Sequence, residues 1–288
     1  MPAYLPAILA SHRAMATADT RSRTALEAAV AGLAPARGFR RAIATRSLAE
    51  GIAVIAEVKR RSPSKGVLDP GLDPAQVAPA YEAGGATCLS VLTDREFFGG
   101  SPDDLRVARE ACSVPVLRKD FTVTPADVYD ARAMGADAVL LIVAALDEPL
   151  LRQCLEVAGE IGIDALVEVH SARELDAALS AGATLVGVNQ RDLETFEVDR
   201  DLARELRGAI PSHVVTVAES GIRDESDVAA LRAVGFDAVL VGETFVRSAD
   251  RAVAVADLVE AGRGRREPVT ASSVAVEPGS FDGVRRTP

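Results

Sequence analysis

Four fragments of one design recur along the chain: Gly85-Ala86-Thr87, Gly135-Ala136-Asp137, Gly182-Ala183-Thr184 and Gly235-Phe236-Asp237. Each lies between a helical pattern and an apolar, strand-like run. Glycine tolerates the left-handed backbone that ends a helix, so each fragment marks a helix stop followed by a strand start. The glycines fall 50, 47 and 53 residues apart, about twice one strand-plus-helix unit. Four copies of a two-unit repeat make eight units. Eight alternating units suit a closed parallel (β/α)8 TIM barrel, a fold of ~250 residues. An open doubly wound sheet is the alternative.

The remaining pattern fills in those units. Strand-like runs begin near Ile52, Cys88, Val114, Ala138, Ala165, Leu185, Val214 and Ala238. They are near-continuous apolar stretches rather than strict alternations, as expected of parallel strands buried on both faces. Helical patterns run from Pro74 to Ala83, Asp103 to Ala111, Pro125 to Met134 and Glu148 to Ile161. They continue from Ala172 to Ala181, Asp199 to Arg207, Glu225 to Val234 and Asp250 to Ala261. Upstream, Leu26, Val30 and Leu33 stand at helical spacing between Thr20 and Leu33. The expected organisation is an N-terminal helical extension over 1–48, a catalytic barrel over 49–262 and a flexible tail over 263–288, where the apolar period ceases.

A formal net charge of −10 argues against nucleic acid and anionic membrane as partners, because both require a cationic surface. The longest apolar run, Ala138 to Leu146, is far shorter than the ~20 residues that span a bilayer. Cys88, Cys112 and Cys154 are odd in number and form no Cys-x-x-Cys pair. A soluble, cytoplasmic protein without a disulfide framework is expected. His12, His170 and His213 show no metal-binding spacing, so no metal is expected.

Several strand-like runs end in a charged or amide side chain: Glu57 and Lys59, Lys119, Glu168, Asn189 and Glu219. Glu57 and Lys59 are two apart and share a strand face. In a parallel barrel all strand C-termini open on one face, so these six residues converge there. They read either as an acid/base constellation or as ion pairs plugging the barrel top. A semi-buried Lys119 suits a general acid, a Schiff-base nucleophile or a structural ion pair. Two small-residue turns, Glu219-Ser220-Gly221-Ile222 and Val241-Gly242-Glu243-Thr244, lead into helices after strands seven and eight, where barrels often hold phosphate. Either glycine could instead serve only a tight turn.

Five motifs, in order along the chain, carry a resemblance. They are Glu57-Val58-Lys59-Arg60-Arg61-Ser62-Pro63-Ser64-Lys65-Gly66, Leu117-Arg118-Lys119-Asp120-Phe121, Val167-Glu168-Val169-His170, Gly187-Val188-Asn189-Gln190-Arg191-Asp192-Leu193 and Ala218-Glu219-Ser220-Gly221-Ile222. Together they closely resemble indole-3-glycerol-phosphate synthase, from Ile52 to about Arg247. The resemblance implies a decarboxylating carbon–carbon lyase of tryptophan biosynthesis. Its substrate is the anionic sugar phosphate 1-(2-carboxyphenylamino)-1-deoxyribulose 5-phosphate, and it needs no cofactor.

By the same resemblance Lys119 is the general acid, Glu168 a second acid/base, and Glu57 and Lys59 a pair for the substrate carboxylate and proton transfer. Asn189 and Glu219 orient substrate hydroxyls and the lysines. Ser220, Gly221, Gly242 and Glu243 hold phosphate, and Arg191 and Ser62 support the site. An acid at position 243 repels phosphate unless only its backbone takes part. Phe121 packs either against the anthranilate ring or in the core, and the loop from Arg60 to Asp69 is a candidate lid. A monomer is expected, with association with neighbouring pathway enzymes left open. The rival readings are an isomerase or aldolase of a similar sugar phosphate, and a noncatalytic barrel that binds a partner or an anthranilate-derived ligand.

Overall fold

The structure, a computed structural model, describes residues 4–63 and 65–264. Its centre is a closed barrel of parallel strands: β1 (Ala53–Val58), β2 (Cys88–Leu92), β3 (Val116–Lys119), β4 (Ala138–Ile142), β5 (Asp164–Val169), β6 (Leu185–Asn189), β7 (Val215–Glu219) and β8 (Ala238–Val241). Each strand pairs with the next, and β8 closes on β1 with Ala53 opposite Ala238 and Ala56 opposite Val241. The expected barrel is the observed one, and the open sheet is excluded. Buried side chains from all the strands form a single core.

Three helices precede the barrel: α1 (Tyr4–Ala18), α2 (Arg23–Val30) and α3 (Phe39–Ala49). The barrel helices are α4 (Pro74–Ala83), α5 (Pro102–Ala111), α6 (Pro125–Ala133), α7 (Glu148–Ile161), α8 (Ala172–Ser180), α9 (Leu202–Arg207), α10 (Glu225–Ala233) and α12 (Arg251–Ala261). A short α11 (Glu243–Arg247) follows β8. Their starts are written in the sequence. Asp73, Ser101, Asp147, Ser171, Asp224 and Asp250 accept hydrogen bonds from free N–H groups of the first turn. Their stops are too: Gly85, Gly135, Gly182 and Gly235 have φ of 92°, 94°, 93° and 91°, the left-handed conformation that the repeat predicts.

The extension is more helical than its sequence pattern indicates. Leu33, read as the last member of a helical stripe, lies beyond α2 and is exposed, because Ala31 is extended and Gly32 turns left-handed at φ 76°. At the other end, Arg263 bridges to Gly51 and Gly264 N–H donates to Glu50 O at 3.0 Å, so the ordered chain passes the expected boundary at 262. The rest of the expected tail, 265–288, lies outside the described residues. Among the described residues no helix is long and apolar enough to cross a membrane.

Candidate active site

The C-terminal ends of the strands open into one cavity of about 610 Å³. All thirteen residues singled out from the sequence line it: Glu57, Lys59, Ser62, Lys119, Phe121, Glu168, Asn189, Arg191, Glu219, Ser220, Gly221, Gly242 and Glu243. They are as much as 186 positions apart in the chain, and strand polarity alone gathers them.

Two ammonium groups and three carboxylates organise the interior. Lys119 Nζ donates to Glu168 Oε2 at 2.6 Å and lies 3.3 Å from Glu219 Oε2. Lys59 Nζ lies 2.5 Å from Glu57 Oε1, as the shared strand face requires, and Ser90 Oγ donates to the other Glu57 oxygen at 3.4 Å. The second Glu168 oxygen, Oε1, accepts from Asn189 Nδ2 at 3.0 Å. Asn189 Oδ1 in turn accepts from the Arg191 N–H at 3.1 Å, while the Arg191 guanidinium donates to Phe196 O at 3.1 Å.

The electrostatics follow from one lysine shared by two buried carboxylates. Burial pulls the Lys119 pKa down, but Glu168, Glu219 and Glu57 outweigh it and hold the ammonium above its ordinary value. Burial pushes Glu168 up, but Lys119 and then His170 reverse this, and the carboxyl is held well below its usual range. Glu219 goes the other way. Burial and the repulsion of Glu168 raise it, and the more distant Lys119 offsets them only in part. The pair titrates as a unit, with Glu168 ionised first.

The turns at the rim differ from ordinary helix entries. Ser220 is one of the few non-glycine residues with positive φ, at 63°, and Gly221 follows at 74°. Gln190 Nε2 holds the Ser220 carbonyl at 2.8 Å. A Cβ on Gly221 would approach Val198 Cγ1 to 2.7 Å, and one on Gly242 would approach Glu57 Oε1 to 2.7 Å, so both glycines are also required for space. Glu243 is turned along α11 toward Arg247, 3.3 Å from its guanidinium. Ser62 Oγ accepts from Lys65 N–H at 3.3 Å. Phe121 packs at a tilt between Phe98 and His12, with ring centroids 6.3 and 5.7 Å away.

Other lining residues are not apparent from sequence patterns. Tyr4, Leu5 and Ile8 of α1 form part of the wall, and Arg200, Arg223 and Arg247 stand near the Ser220 and Gly242 turns. Gly187 on β6 is occupied space: a Cβ there would overlap Glu219 Oε1. His170, a lone histidine in the sequence, lies against Glu168. His12 meets Asp94 and Asp120 at 3.2 and 3.6 Å, a grouping that sequence spacing does not show. The Arg118 guanidinium, 3.0 Å from Asp120 Oδ2, adds positive charge to this cluster.

The family model for indole-3-glycerol phosphate synthase matches residues 5–258. Among curated proteins, indole-3-glycerol phosphate synthase of Mycolicibacterium vanbaalenii is 56% identical over 214 residues, covering 74% of this chain and 79% of that protein. The proteins of the same name from Mycolicibacterium smegmatis and Mycobacterium ulcerans are 56% and 55% identical over 212 residues, each covering 74% of this chain and 78% of theirs. Among solved structures, thiamine phosphate pyrophosphorylase from Pyrococcus furiosus superposes with a TM-score of 0.55 at 18% identity. The match covers 73% of this chain and 95% of that one, a likeness of fold alone.

Proposed function

The chain belongs to the indole-3-glycerol phosphate synthase family, and from that membership we propose how the residues of its cavity perform the family's reaction. The reaction is ring closure, decarboxylation and dehydration of 1-(2-carboxyphenylamino)-1-deoxyribulose 5-phosphate to indole-3-glycerol phosphate. Lys119, an ammonium kept charged by the carboxylates around it, polarises and protonates the substrate carbonyl as the carboxyl-bearing ring carbon attacks it. The carboxylate on that ring carbon then leaves as carbon dioxide, its bonding electrons restoring the aromatic ring, and the new hydroxyl departs as water while the adjacent methylene carbon loses a proton. Glu168, ionised beside Lys119, stabilises the cationic intermediate and assists the loss of that hydroxyl.

Lys59 and Glu57 bind the substrate carboxylate and relay protons. Asn189 and Glu219 orient Glu168 and Lys119, and Arg191 and Ser62 support the wall. Backbone N–H groups at Ser220, Gly221, Gly242 and Glu243 hold the phosphate, with the Glu243 carboxylate drawn toward Arg247. Phe121 forms the apolar wall for the anthranilate ring. We further propose a cytoplasmic monomer without cofactor; the free thiols of Cys88, Cys112 and Cys154 fit a reducing compartment.

The observation that carries this reading is Lys119 Nζ between Glu168 Oε2 at 2.6 Å and Glu219 Oε2 at 3.3 Å in the shared cavity. An aldolase lysine must lose its proton to attack a carbonyl, and this environment opposes that loss. The purified chain given the carboxyphenylamino-deoxyribulose phosphate should produce indole absorbance together with carbon dioxide. Lys119→Met should lower kcat by about 10³-fold, with cooperative unfolding retained. Near-normal turnover in that variant, or borohydride capture of substrate on Lys119, would refute the assignment.

A further inference from the structure

His170 leaves the end of β5 two positions after Glu168, so both side chains face the same way. Its imidazole is half-buried between two carboxylates. Nε2 lies 3.2 Å from Glu168 Oε1, and Nδ1 lies 3.1 Å from Glu174 Oε2. The Nε2 contact is at ion-pair distance but off the line of a directed hydrogen bond, so it acts through charge and packing more than through a shared proton. Glu174 is itself fixed. Its Oε2 also accepts the His170 backbone N–H at 2.9 Å, and its own N–H donates to Ser171 Oγ at 3.2 Å, both at the start of α8.

We propose that His170 is a positioning residue for Glu168: an imidazolium anchored by Glu174 that orients the Glu168 carboxylate and keeps it ionised through turnover. The inference rests on the proposed role of Glu168. The geometry makes a chain of alternating charge, Glu174, His170, Glu168, Lys119, in which each member is held by its neighbours. With Asn189 and His170 on Oε1 and Lys119 on Oε2, the carboxylate is fixed in plane and direction before substrate arrives. The charged groups facing the imidazole are Glu168 from β5, Glu174 from α8 and Asp192 from the loop after β6. All three are acidic and favour its positive charge. Burial alone would lower its pKa, but the two glutamates outweigh this and raise it to about 10, leaving the ring charged across the working range.

Two variants test this, each assayed for indole formation across pH beside the parent enzyme. His170→Asn removes the charge beside Glu168. It should lower kcat about tenfold with KM changed less than twofold, because the Glu168 carboxylate is no longer held in its productive direction. Glu174→Gln keeps an amide oxygen for the His170 N–H but lowers the imidazolium pKa, so the alkaline limb should begin at lower pH. Glu174 is partly exposed and touches Glu168 only through His170, so this variant should fold even if His170→Asn does not. An unmoved alkaline limb in folded Glu174→Gln overturns the proposal, as does a kcat within twofold of the parent in folded His170→Asn. A parent enzyme that forms no indole refutes the proposed function instead, which keeps the two failures apart.

Discussion

At Gly187 the chain leaves a gap that a neighbour fills. The Glu219 carboxylate occupies the volume a Cβ would need, and Leu166 Cδ1 stands 3.3 Å from the same point. Strand pairing places Gly187 opposite Val217 and Asn189 opposite Glu219, so the β6 and β7 backbones cannot move apart to make room. Gly187→Ala should therefore displace Glu219 rather than the strands, and with it the second carboxylate beside Lys119. We expect kcat to fall at least ~10²-fold while stability drops by about 1–3 kcal/mol, the usual cost of overpacking. Steady-state kinetics beside a urea melt measure both. Gly187 lies within a motif that carries the family resemblance, yet its role is invisible there because the atom that needs the space belongs to residue 219. His170 is different. Its two-residue spacing from Glu168 and four-residue spacing from Glu174 can be read from the sequence, but only knowledge that a helix starts at Ala172 turns that spacing into contact.

The βα units could be read in advance because their signals are local: caps, left-handed glycines and continuous apolar runs act within a few residues. Helices α1 and α3 could not, because long-range contacts hold them. The apolar face of α1 rests on the barrel mouth, and its polar anchors are far away in sequence. His12 reaches Asp94 and Asp120, Arg13 Nη2 donates to Ala145 O at 3.1 Å, and Tyr4 packs edge-on against Phe196 with centroids 5.3 Å apart. The His12 anchor is ionisable. Burial lowers its pKa, but the Asp94 hydrogen bond and the Asp120 charge outweigh that burial and the opposing Arg118, so the net shift is upward. Asp94 shifts down despite its burial, held by His12 and the Phe97 and Phe98 N–H groups. A group whose folded pKa is raised contributes fully below its unfolded value, about 6.5 for histidine, and loses that contribution as pH rises through the folded value. A lowered aspartate contributes above about 3.9 and loses its share as pH falls. The stabilisation from this pair should thus be greatest between about pH 4 and 6.5. The difference in Tm between the parent and His12→Ala should be largest there and shrink toward alkaline pH, a trend that thermal melts in a buffer series would check. A constant difference would mean that His12 contributes by packing on Phe121 alone.

The two ends of the barrel divide the molecule's labour, and the sequence repeat shows why. The same Gly-x-Asp fragments that start β4 and β8 deliver Asp137 and Asp237 to the N-terminal mouth, opposite the cavity, where the extension docks. Asp137 accepts from the N–H groups of Arg37 and Val116 at 2.8 and 2.9 Å and from Arg109 Nη2 at 3.0 Å. Asp164 accepts from the Arg40 N–H at 2.9 Å, and Asp237 from Ser47 Oγ at 2.8 Å. Three buried or half-buried acids thus tie α3 and the segment before it across the closed end. None of them faces substrate, since strands of this length keep the two mouths roughly 15–20 Å apart. Asp137, wholly buried, holds three donors, and its loss leaves all three without their acceptor. Asp137→Ala should therefore cost about 3–5 kcal/mol of stability, as removal of one partner from a buried ion pair does. Turnover per folded molecule should stay within twofold of the parent, because Lys119, Glu168 and Glu219 are fixed by the opposite strand ends. Urea unfolding gives the first quantity, and kcat normalised to the folded fraction gives the second. A fall in normalised kcat comparable to that of Gly187→Ala would show that the closed end sets the geometry of the open one.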